Sequence, residues 1–250
     1  MPKSPASLPF SLLLPADTIC ARRADILRRV LAAFPVLRHA PPPELPGEAL
    51  PFMLRAYDEV FLNGYLGAQR IAPLCIAASV RMTRAAGTCT IRRPVAGRPQ
   101  IEIRMGIDFL FRLSEGPFTV NGLCFDTPLE AFLCVLEHEL CHALDFLLRG
   151  VFERHGPHFK ALSKGLFGHT ACTHALPTRA QEAAAAGIGV GQWVTFPYED
   201  KMLHGRVSRV GKTASVMVPD RRGGYADVAG QRYSKFTVPL SVVRREGSVQ

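Results

Sequence analysis

The stretch from Thr127 to Gly150, TPLEAFLCVLEHELCHALDFLLRG, decides how this chain is read. Apolar residues run through it almost without a break, and it reads as one helix about twenty residues long. Thr127 is placed to cap it, Pro128 takes the first helical position, Glu130 completes a capping box, and Gly150 is a natural residue to end it. Inside the helix lies His138-Glu139-Leu140-Cys141-His142. Residues four apart share a helix face, so both imidazoles can offer a nitrogen to one zinc ion, with Glu139 beside them as general base. Two histidines on an apolar helix are by themselves ordinary. The glutamate between them and the helix around them turn the reading toward a metal centre.

A catalytic zinc takes three protein ligands and keeps one position open, so a third ligand must come from elsewhere. After the helix the chain reads Glu153-Arg154-His155-Gly156-Pro157-His158-Phe159, a turn followed by a second helical pattern through Phe159, Leu162 and Leu166. His155 stands just before that helix and can fold back toward the first. His158, on its first turn, competes, although a surface position suits it better. Asp145 follows His138 and His142 at the i+7 position and faces the same way. Seven residues lie far along a helix axis, so we expect Asp145 to accept a hydrogen bond from a ligand histidine or a nearby backbone group rather than to bind the ion. A solvated charge is its plainer alternative.

With these residues in view, the chain resembles the SprT and Spartan family of zinc metalloproteases. The family's pattern is HExxH on a helix, a short excursion, then HG followed by an aromatic residue. Here His138, Glu139 and His142 are followed by His155-Gly156 and Phe159, while Tyr57–Gly67 and Arg81–Ile91 are similar to its opening helix and first strands. The likeness spans roughly residues 52–170. It implies a zincin-like core, with His138, His142 and His155 as zinc ligands and Glu139 as catalytic base. It also implies protein substrates bound or cross-linked to DNA. The cysteine-pair zinc ribbon of many bacterial relatives has no counterpart here.

Composition sets outer bounds. With 250 residues, 48% hydrophobic and 20% charged, the chain can bury one sizeable core and a smaller one. Its seven cysteines have no paired spacing, which fits reduced thiols in a cytoplasmic compartment better than a disulfide framework. His169, Cys172 and His174 could form a second metal site, with simple packing as the plainer reading. The apolar stretch Leu8–Leu14 faintly imitates a secretory signal but is broken by Pro9 and followed by Pro15, and no apolar run is long enough to span a membrane.

Along the chain, residues 1–51 read as an amphipathic helix (Ala21–Leu37, cut by Pro35) and a proline-rich linker (Ala40–Pro51). Residues 52–176 read as the metalloprotease domain, with strands at 71–80, 87–92 and 100–104, and residues 177–187 as a linker. In residues 188–250 short strands separated by Gly, Asp and Pro indicate a small SH3-like or KOW-type barrel. The fold class is therefore α+β with an appended barrel. Of the formal charge of +9, +5 falls in residues 188–250, which hold ten Lys or Arg against five Asp or Glu. Arg206, Arg209, Lys212, Arg221, Arg222, Arg232 and Lys235, interleaved with Tyr225 and Tyr233, form a candidate phosphate-contacting face, with DNA as the partner and a nucleoid-associated location in the cytoplasm. The same pattern also fits tyrosines in a barrel core beneath a solvated exterior. Two other functions remain open: a nucleic-acid or chromatin binding protein with a structural zinc site, and a zinc peptidase whose barrel binds protein. An intact Glu139 favours catalysis, since a structural site has no need of a base there.

Overall fold

Pro15 sets the start of α1 (Ala16–Ala33), where Asp17 in the first turn complements the positive end of the helix dipole. This computed structural model describes residues 8–82, 85–93, 97–113, 116–177 and 179–245, so positions 83 and 84 of the Arg81–Ile91 stretch lie outside the described residues. The first helix starts before the expected Ala21 and ends at Ala33, ahead of a short 3-10 turn at Pro35–Arg38. Next comes α2 (Ala49–Leu62), which begins inside the stretch read as linker because Ala49, Leu50 and Met53 already supply its buried face. The elements that follow are α3 (Tyr65–Ala68), β1 (Leu74–Ser79), β2 (Gly87–Arg92), β3 (Gln100–Gly106), β4 (Phe118–Val120), β5 (Leu123–Phe125), α4 (Pro128–Arg149), α5 (Pro157–Phe167) and β6 (His174–Ala175).

Strand β3 is central in a three-stranded sheet, parallel to β1 and antiparallel to β2. Its alternation places Ile101, Ile103 and Met105 fully inside, leaving Glu102 and Arg104 to pair with each other outside. The core gathers around α4, which is buried along nearly its whole length. The expected capping box is present: the Thr127 hydroxyl accepts from the Glu130 backbone N–H, and the Glu130 carboxylate accepts from Thr127 N–H. Such a cap is worth about 1 kcal/mol. At the other end Gly150 adopts a left-handed φ of 70° and donates to the Phe146 carbonyl. A second small sheet runs β5-β4-β6.

The chain divides into two compact units, 1–176 and 177–250. In the second, α6 (Arg179–Ala185) precedes β7 (Trp193–Tyr198), β8 (Lys201–Val210), β9 (Thr213–Pro219), β10 (Tyr225–Ala226), β11 (Arg232–Pro239) and β12 (Arg244–Arg245). They form one antiparallel sheet in the order β10-β11-β9-β8-β7-β12, over a core that includes Val194, Phe196, Val207, Val216 and Val238. The expected barrel is therefore not closed among the described residues. Among the described residues its end strands β10 and β12 are two residues each and do not pair with one another. A bulge between Val207 and Arg209 adds local twist. No helix among the described residues is long and apolar enough to cross a membrane.

Candidate metal centre

One turn of α4 separates His138 from His142, and the chain returns through the loop before α5 to bring His155 against both. Their ring centroids form a near-equilateral triangle of 5.1, 4.9 and 5.2 Å. One ring nitrogen from each lies within 4.8 Å of the others. His138 Nε2 and His155 Nε2 are 3.0 Å apart, a few tenths short of the roughly 3.4 Å expected between two nitrogens each about 2.1 Å from one tetrahedral ion. Partial desolvation, helped by the charges of Lys160 and Arg154, holds His155 below the usual imidazole range. His158 is exposed on the first turn of α5, outside this triangle.

The residue that orients His138 was not foreseen. Asn121 Oδ1 lies 3.0 Å from His138 Nδ1, which as an acceptor assigns the proton to Nδ1 and leaves Nε2 as the lone-pair nitrogen facing His155. This fits a cation shared by the three rings. Asn121 in turn is held by its amide, which donates to the Cys134 carbonyl at 3.1 Å. Asn121 and Gly122 form the two-residue turn between β4 and β5, both with positive φ (53° and 78°), the pairing that a tight hairpin demands. The signal was legible in the sequence as Asn-Gly between Phe-Thr-Val and Leu-Cys-Phe. Its unusual feature is that Asn121 is fully buried while Gly122 is exposed. Below the triangle lies Phe159, fully buried, 4.3 Å from the His142 ring centroid and 4.9 Å from the other two.

Glu139 points toward the edge strand β2, where it accepts a hydrogen bond from the Cys89 backbone N–H. Burial nevertheless pushes its carboxyl up to about 8. This close approach depends on Gly87: a Cβ there would stand 2.7 Å from Glu139 Oε1 and 2.9 Å from Val135 Cγ1. A carboxylate with a raised pKa is the stronger base once ionised, and a cation held by the three histidines would favour that ionised form.

Behind the site, Glu137 is fully buried. Arg23 of α1 binds both of its oxygens (2.8 and 2.6 Å), and Tyr57 and His169 add bonds of 3.0 and 2.9 Å. Burial alone would raise this carboxyl, and the Arg23 charge, with the hydrogen bonds, draws it below the usual range. Cys134, Glu137 and His169 also lie within ligand distance of one another. The Arg23 charge already neutralises Glu137, which makes this group a hydrogen-bond network and a poor cation site. His169 is thus drawn to Glu137 rather than toward Cys172, and the side chain of His174 lies outside the described residues.

Asp145 requires a correction. Both its oxygens are taken by Arg149, one turn further on, at 2.7 and 2.6 Å, so it secures the end of α4. The support expected of it for a ligand histidine comes from Asn121.

In the second unit, strand register places Arg206, Arg209 and Lys235 opposite Met217, Ser215 and Met217 respectively, on the face away from Val207 and Val216. Arg232 instead donates to the Gly223 carbonyl, while Arg221, Arg222 and Lys212 lie in turns. The candidates therefore do not form one continuous face. Tyr225 is 52% exposed and Tyr233 donates to Asp227, so neither tyrosine belongs to the core.

Comparison with curated proteins and with solved structures gave no match. The SprT-like family model, in contrast, matches residues 52–178, about half of the chain, including every element that carries His138, Glu139, His142, His155 and Asn121. Helix α1, with Arg23, precedes the matched segment. The histidine triangle, its neighbouring glutamate and this match bear out the resemblance read from the sequence: the chain belongs to the SprT-like family.

Proposed function

We propose that this chain is a zinc-dependent endopeptidase with a zincin-like core and an SH3-like C-terminal module, acting on proteins associated with DNA. The observation that carries the peptidase reading is the convergence of three imidazoles beside one desolvated carboxylate, Glu139. Zinc held by His138, His142 and His155 would supply Lewis-acid activation of a water and a peptide carbonyl. Glu139 takes the proton released by the attacking water and returns it to the leaving amine. Asn121 fixes the ring of His138, and Gly87 gives Glu139 its room. Strand β2 is an edge, so its outward backbone groups can align an extended substrate.

The DNA part of the proposal rests on the +5 balance of residues 188–250. All seven cysteines are free thiols, which suits a reducing cytoplasmic compartment. Glu139→Gln tests the mechanism. It should lower cleavage of casein or histones by about 10²–10⁴-fold while zinc content stays near that of the wild type. Cleavage near the wild-type rate would refute the assigned role.

A further inference from the structure

Acidic side chains are segregated in the second unit. Strands β7 to β12 contain no Asp or Glu, whereas Glu199, Asp200, Asp220 and Asp227 all lie in the connections. Directly opposed residues in antiparallel strands share a face. The register therefore draws one row across four strands: Trp193 of β7, Arg206 of β8, Met217 of β9 and Lys235 of β11. It lies opposite the face that buries Val194, Val207 and Val216. Arg209 and Arg244 flank it on the same side, opposed to Ser215 and Thr195.

Aromatic rings are interleaved with these cations. Trp193, 38% exposed, stacks on His204 with centroids 4.6 Å apart and planes 19° from parallel. At the far end, Lys235 Nζ lies 6.0 Å from the ring centre of Tyr225. At about 4.8 Å per strand, Trp193 and Lys235 stand roughly 14 Å apart, a span suited to a few nucleotides. The nearby acids are engaged: Asp227 accepts from Tyr233 and from backbone N–H groups, and Asp220 from Ser234.

We infer that this outer sheet face binds single-stranded nucleic acid, with bases stacking on the Trp193–His204 pair and on Tyr225 and phosphates meeting Arg206, Arg209 and Lys235. The inference deepens the proposed DNA anchor and rests on it. Charge alone would suit duplex and single strand alike. Exposed ring faces select the single strand, because duplex bases are already stacked on one another.

Trp193 is the only tryptophan, so fluorescence excited selectively at tryptophan in the full-length protein reports on this face. A thymidine oligonucleotide of about twelve residues should quench that fluorescence, and the duplex of the same length should quench it much less. In fluorescence anisotropy with labelled oligonucleotides, Trp193→Ala should weaken single-strand binding about tenfold and duplex binding far less. If Trp193→Ala proves unfolded by thermal melting, Tyr225→Ala at the other end of the row carries the same expectation. Equal affinity for both forms without quenching would overturn the stacking inference and leave a charge-based anchor. No binding of either form at low salt would remove the anchor as well. Neither outcome touches the peptidase reading, which Glu139→Gln tests separately.

Discussion

Between residues 1 and 176, the polar groups that support the site are out of water: Asn121, Glu137 and His169 are buried, and each is met by partners from other elements. In the described part of residues 177–250 no charged or polar side chain is buried, and the distinctive groups are exposed cations and rings on strands. A buried polar group has few permissible partners, and losing one leaves the other uncompensated. An exposed cation can exchange its partner for water. The first unit should therefore respond to substitution sharply and the second by degrees.

The largest stability effect should come from Arg23, which lies outside the family match. Arg23→Met keeps apolar volume but strands Glu137, and breaking such a pair costs about 3–5 kcal/mol. Urea unfolding measures this; a loss below about 1 kcal/mol would show that the two units do not differ as argued.

An intermediate effect is expected at Asn121. Asn121→Gly preserves the left-handed backbone and removes only the side chain, so metal affinity, read by competition with a chelator, should fall about 10–100-fold. Unchanged affinity would reduce Asn121 to a hairpin residue.

Arg209→Ala, in the second unit, should produce the smallest change. Folding stability should move by less than about 0.5 kcal/mol. The slope of log affinity for DNA against log salt should fall by about 1. An unchanged slope would place the phosphate contacts elsewhere.

Legibility in the sequence followed the same divide. Helix α4 could be read with its cap, its terminator and both metal-facing histidines, because each signal is local and the 3.6-residue repeat converts spacing into geometry. His155 needed the turn at Gly156-Pro157 and the family resemblance. Asp145 was misjudged for a local reason, since Arg149 at i+4 competes for it more closely than any histidine. Asn121 and Arg23 could not be placed, because their partners lie 17 and 114 residues away and no periodicity encodes such distances. In the second unit the strands were recognisable, but closure was not. Closure depends on pairing between the outermost strands, which are not consecutive in the chain, and alternation within a strand does not carry that information.

The Asn121-Gly122 turn, whose asparagine is buried, also gives the molecule a chemical age. In an unfolded chain, asparagine followed by glycine readily loses its side-chain amide, because little hinders the glycine nitrogen from attacking it. Here the Asn121 carbonyl is tied to the N–H groups of Thr170 and Ala171, and its side chain to His138 and Cys134, so the native fold restrains that attack. Each excursion to the unfolded state lifts the restraint. The product, an aspartate or its isomer, would lack the amide that Cys134's carbonyl receives and could not restore the site on refolding. Heat damage to this protein should thus accumulate as a covalent change at one dipeptide, even in molecules that regain their fold.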